Sequence, residues 1–155
     1  MLRLTKLAVR LSLATALVVS ATSTLAAETI KIGWLSSLTG ALSSAAIAEN
    51  QGVQLAVEEI NKSGGILGRQ IELLTRDTAG DPTKAVNFAQ QLAFSDKVHF
   101  VIGPVNSGEG LAAVPILARA GVPNLVIGAI DELIDPVKYP RAFRVINTNR
   151  QWIST

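Results

Sequence analysis

Past residue 27, short apolar runs with the composition of β-strands alternate with longer stretches that have helical periodicity. This alternation is what most limits how the chain can fold. Thr29 to Leu35 reads as a strand with Ile30, Ile32 and Trp34 on one side. Ala45 to Ser63 reads as a helix burying Val53, Val57 and Ile60, and Gly64 and Gly65 end it. Ile71 to Thr75 is a second strand. Asp81 and Pro82 then supply an N-cap and a proline at the first helical position, and Ala85, Ala89, Leu92 and Ala93 continue that helix. Val98 to Ile102 is a third strand, with His99 inside it. Ser107 starts a third helix that buries Leu111, Val114 and Leu117, and Gly121 and Pro123 close it. Asn124 to Ile127 and Ala142 to Ile146 complete five strands. Strands joined by helices of this length require right-handed crossovers and parallel pairing. The expected fold class is α/β, a doubly wound parallel sheet.

Residues 1–26 read as an export signal. Arg3, Lys6 and Arg10 precede a short apolar run, Leu11 to Val19, and small residues follow up to a cut before Ala27. A membrane span needs about 20 apolar residues, and this run is shorter and interrupted by Ser12 and Thr15. Cleavage therefore predicts no stable membrane insertion. The chain has no cysteine, so lipid attachment at a processed cysteine is unavailable. A periplasmic product follows, secreted and not a lipoprotein. Removing the three leading basic residues leaves 11 basic against 12 acidic residues, a net charge of −1. Near-neutrality gives no electrostatic case for nucleic acid or an anionic membrane as partner.

In a doubly wound sheet the ligand site lies beyond the carboxyl ends of the strands. Three loops emerge there: Ser36 to Gly40, Gly103 to Ser107 and Gly128 to Asp131. They are rich in glycine and hydroxyl groups and hold no nucleophile–base pair, so no enzyme and no catalytic residue is expected. Ser107 opens a helix, where free N–H groups and the positive dipole end suit a carboxylate. Its simpler role is an N-cap worth about 1 kcal/mol, and one hydroxyl can serve both. One histidine, His99, with no cysteine makes a zinc site untenable, and no metal is expected. Asp77 and Asp81 read as turn and cap residues. Gly64 to Gly68 ends a helix and lacks the lysine of a phosphate loop, and no G-x-G-x-x-G follows the first strand. No cofactor is expected.

Several pieces in order make the chain similar to a known family. They are Ile32-Gly33 leading to Leu38-Thr39-Gly40, then Ile60-Asn61-Lys62-Ser63-Gly64-Gly65-Ile66-Leu67-Gly68-Arg69. Asp77 with Asp81-Pro82 and Ala85 follows, then Val101-Ile102-Gly103-Pro104 with Ser107, and finally Phe143-Arg144. From Thr29 to Trp152 the chain resembles the leucine/isoleucine/valine-binding proteins of bacterial ABC importers, type I periplasmic binding proteins. The resemblance implies a small-molecule ligand held between two hinged lobes, and permease subunits as partners. It assigns the ligand's carboxylate to Ser107 and its amino group to the backbone at Gly128. Ile130 stands where the family usually has a threonine, and an aromatic residue of the first loop is replaced near Ala45. The candidate ligand-binding residues are thus Asn106, Ser107, Gly128, Ala129, Ile130 and Ala45, and an aromatic acid or an amide joins branched-chain amino acids as a possible ligand.

Family members are more than twice as long. Residues 27–147 are expected to form the first lobe and residues 148–155 the start of the crossover to a second. A truncated chain with half a cleft and negligible affinity is the corresponding expectation. The alternatives are a ligand-sensing receptor domain of the same fold and a non-functional gene remnant.

Overall fold

The computed structural model describes residues 28–153. The export signal assigned to residues 1–26 lies outside the described residues. Five strands, β1 (Ile30–Ser36), β2 (Ile71–Asp77), β3 (Phe100–Ile102), β4 (Asn124–Val126) and β5 (Ala142–Arg144), form one sheet in the order β2-β1-β3-β4-β5. Every adjacent pair is parallel. The expected α/β doubly wound parallel sheet is therefore the fold. Strand order reverses between β1 and β3, which is the switch point where such sheets hold ligands.

Helices α1 (Ser43–Lys62), α2 (Pro82–Gln90), α3 (Ser107–Arg119) and the short α4 (Asn149–Ile153) accompany the sheet. Leu92, in a π-helical turn extending α2, lies over Gly33, where an added Cβ would stand 2.8 Å from Leu92 Cδ1. Leu35, Val101, Ala85, Ala89, Ala113 and Leu117 complete this buried cluster between α2, α3 and one sheet face. A second cluster of Val114, Val126, Leu133 and Ala142 packs beneath the segment after β4.

Several sequence expectations need correction. Only Ala46 of α1 is fully buried, and Ile60 is exposed, because α1 packs chiefly beside the outer strand β2. Leu111 is 49% exposed, since the inward face of α3 falls instead on Gly110, Ala113, Val114 and Leu117. An added Cβ at Gly110 would meet Leu133 Cδ2 at 2.6 Å, so the leucine side chain packs directly onto the glycine. His99 is not inside a strand: β1 begins to pair with β3 at Ile32 and Phe100. His99 is exposed just before that ladder, where its Nδ1 accepts from the Lys31 N–H at 3.2 Å.

Two local predictions hold. Asp81 caps α2, its carboxylate accepting from Thr83 N–H at 2.7 Å, with Pro82 at the first helical position. At the end of α1, Gly64 and Gly65 take positive φ and the Gly65 N–H returns to Ile60 O at 2.9 Å.

Candidate ligand site at the carboxyl edge of the sheet

Parallel pairing brings the ends of β1, β2, β3 and β4 to one edge. The loop after β1 is fastened there by Asp77, the last residue of β2. Its carboxylate accepts from Thr39 Oγ1 at 2.7 Å, from Thr39 N–H at 3.2 Å and from Ala79 N–H at 3.0 Å. Desolvation pushes the Asp77 carboxyl up. The hydrogen bonds from the Thr39 side chain and from the Ala79, Thr39 and Leu38 backbone outweigh it, leaving the group below the usual aspartate range. A depressed folded-state pKa means a contribution present above the ordinary range and lost as pH falls through the folded value. The protection factor of the Thr39 amide, taken against its intrinsic exchange rate at each pH, should therefore fall on acidification more than those in β1. In Asp77→Asn that extra loss of protection should vanish, and its persistence would assign it to another group.

The loop after β3 leads into α3. Asn106, not Ser107, is the N-cap: its Oδ1 accepts from the Glu109 N–H at 2.9 Å, and Ser107 is the first helical residue. Asparagine in this position frees the serine hydroxyl from capping. Ser107 Oγ instead accepts from the Ala129 N–H at 3.1 Å. Gly128 permits that closeness, since a Cβ there would lie 3.1 Å from Ser107 Cα and 2.4 Å from Leu133 Cδ1. The structure thus brings Asn106, Ser107, Gly128 and Ala129 together. Ala129 O accepts from the Asn149 N–H at 2.9 Å, which moors α4 to the same loop.

Ile130 is half-buried and packs against the second core cluster, with its carbonyl taking Arg144 Nη2. An apolar side chain here serves that core, which a threonine hydroxyl would burden. Ala45 is exposed in the first turn of α1, and among the described residues no hydrogen bond links that turn to Ser107 or Ala129.

Glu109 is the residue that the sequence reading left out. It is fully buried, and its Oε2 accepts from Ser37 Oγ at 3.0 Å and from Asn106 Nδ2. Ser37 Oγ lies 3.4 Å from Thr78 Oγ1, which donates to Ser36 O at 3.1 Å. The ends of β1, β2 and β3 thus meet at one carboxyl group. The signal available in the sequence was the spacing Asn106-x-x-Glu109, a variant of the capping box.

Ser107 Oγ accepts from the Ala129 N–H, Ser37 Oγ donates to Glu109 Oε2, and His99 lies at the opposite ends of the strands. Among the described residues no group of three or more potential ligands could hold a metal ion. No helix among them is long and apolar enough to cross a membrane. The arrangement offers hydroxyls, backbone N–H groups and a helix N-terminus, which are groups for binding.

Comparison with known proteins agrees. The family model for periplasmic binding proteins, an extracytoplasmic family, matches residues 29–155. The leucine-, isoleucine-, valine-, threonine- and alanine-binding protein of Pseudomonas aeruginosa is 35% identical over 88% of this chain and 36% of its own length. The isoleucine complex of a branched-chain amino acid transporter substrate-binding protein from Streptococcus pneumoniae superposes with a TM-score of 0.73. It is 36% identical over 77% of this chain and 34% of that one. A solute-binding protein from Rhodopseudomonas palustris, in complex with 3,4-dihydroxybenzoic acid, has a TM-score of 0.68 and 28% identity over 77% of this chain and 32% of that one. The chain spans about a quarter to a third of the length of the curated relatives it matches. By its matched residues and its sheet, the chain belongs to the periplasmic binding protein family, and its relatives there are leucine/isoleucine/valine-binding proteins.

Proposed function

We propose that this chain supplies the first lobe of the solute-binding subunit of an ABC importer. In this reading residues 1–26 are a cleaved export signal, residues 27–147 form the lobe, and residues 148–155 begin the crossover to a second. The solute is a branched-chain amino acid or a related small carboxylate or amide, and the subunit delivers it to membrane permease subunits without chemical change. The observation that carries this reading is the meeting of Ser107 Oγ with the Ala129 N–H at the carboxyl edge. There the Ser107 hydroxyl, the start of α3 and the loop at Gly128 lie together. The departures at Ile130 and Ala45 widen the solute class. The Rhodopseudomonas palustris solute-binding protein, solved with 3,4-dihydroxybenzoic acid, supports including aromatic acids in that class.

A titration of the 15N-labelled chain with leucine, isoleucine, valine, 3,4-dihydroxybenzoate and small amides tests the reading. Resonances of Ser107, Gly108 and Ala129 should move together for at least one solute. Half a cleft binds weakly, so each solute is raised to its solubility limit, and a panel that leaves all three unmoved even there would remove the proposal. In a completed two-lobed protein, Ser107→Ala should cost about 1.5–3 kcal/mol of affinity for the responding solute, the value of a hydrogen bond with a charged partner. Unchanged affinity would reduce Ser107 to a structural residue.

A further inference from the structure

We propose that Asn149 is a positioning residue for the solute site: its backbone N–H holds the Ala129 carbonyl and so keeps the Ala129 N–H against Ser107. This deepens the proposed function and rests on it, since that reading places the solute at Ser107 and starts the crossover at residue 148.

The sequence aims this N–H. Thr148 and Gln151 stand three residues apart, the spacing of a capping box. Both halves of the box form: the Gln151 N–H donates to Thr148 Oγ1 at 3.2 Å, and the Thr148 N–H donates to Gln151 Oε1 at 2.8 Å. Thr148 thus caps α4, and Asn149 is its first residue. A first-turn N–H has no partner within its own helix, and that of Asn149 donates to Ala129 O at 2.9 Å. Ala129 is then held on both sides, by Ser107 Oγ at its N–H and by α4 at its carbonyl. Bonds on either side of one Cα restrain both of its backbone torsions.

Two further contacts run the same way. Arg144, at the end of β5, donates from Nη2 to Ile130 O, and its Nη1 lies 3.8 Å from Asp131 Oδ1. Arg150 Nε lies 3.5 Å from the other oxygen of that carboxylate. Residues 144–150 therefore grip three successive residues of the loop after β4, Ala129 to Asp131. Asp131 and Arg150 are exposed, so their ion pair adds little in water. The backbone bond at Ala129 carries the link. Coupling of this kind is reciprocal: a solute that fixes Ser107 and Ala129 steadies α4, and displacement of residue 149 loosens the solute's contacts. The worth of that one hydrogen bond bounds the effect at about two- to tenfold in affinity.

The test uses Asn149→Pro in the whole 15N-labelled chain. Proline lacks the N–H, and its ring suits the first helical position, so the substitution removes this donor and keeps the helix. In the native chain the responding solute should move the Asn149 amide together with those of Ser107 and Ala129. In Asn149→Pro the initial slope of the Ser107 and Ala129 shifts against solute concentration should fall about two- to tenfold. A purely structural contact would leave those slopes unchanged. An Asn149 amide that stays still while Ala129 moves, or undiminished slopes in Asn149→Pro, would overturn the inference and leave the solute site intact. No movement at Ser107 and Ala129 for any solute would remove the proposed function and this inference with it. Should Asn149→Pro unwind α4, seen in the amide shifts of Arg150 to Ile153, the joint movement in the native chain decides alone.

Discussion

Replacing Gly103 by alanine should lower stability by roughly 3–5 kcal/mol, combining left-handed backbone strain with a steric clash. Gly103 has φ +91°, and a Cβ there would stand 2.1 Å from Leu35 O. The obstacle is strand backbone, so no rotamer change relieves it. Its own N–H donates to Leu125 O at 2.8 Å, fixing the residue to a second neighbour. A loss of that size removes roughly a fifth or more of an ordinary domain's margin, and urea unfolding followed by circular dichroism would register it. Gly108→Ala is the control: its Cβ would meet only Asn106 Oδ1, at an ordinary 3.5 Å. A Gly103→Ala midpoint no lower than that of Gly108→Ala would contradict the packing at the switch point.

Leu92→Ala should cost about 2–5 kcal/mol, the range for emptying a well-packed leucine site. The side chain is fully buried over Gly33 and Val101, and both are held by the β1–β3 ladder. The sheet cannot move in to refill the space, which argues for the upper half of that range. Leu111→Ala, at a half-exposed position, should stay within about 1 kcal/mol. Equal losses at the two positions would mean that α3 is rotated relative to its described orientation.

That pair of leucines shows what the sequence could and could not convey. Element type and order were legible because strand runs and helical periods alternate without interruption, and parallel pairing then places the loops on one edge. Which face of a helix is inward is a weaker signal. In α3 the inward set includes Gly110 and Ala113, small residues chosen because Leu133 and the sheet come close, and hydrophobicity alone favours Leu111. His99 was misplaced for a similar reason, since a ladder's first rung depends on its partner strand.

At the candidate site, Ser107, Gly128 and Ala129 were recoverable from helix starts and glycine positions. The cap was assigned one residue late because serine and asparagine are equally good caps, and the choice depends on which oxygen Ala129 needs. Glu109 was invisible because a buried carboxyl contradicts composition rules. Its donors Ser37 and Asn106 reach it only after three strands are in register, one of them from 72 residues away.

The mooring of α4 also gives the chain two built-in fluorophores with separate duties. Of its two tryptophans, Trp34 is sealed within the sheet, while Trp152 is 65% exposed, three residues beyond the Asn149 N–H that grips Ala129 O. The first emits from an apolar setting and reports the integrity of β1. The second emits from water and reports whether the chain end still holds the loop after β4. Excitation at one wavelength thus reads sheet and loop as two resolvable spectral components, with no label added.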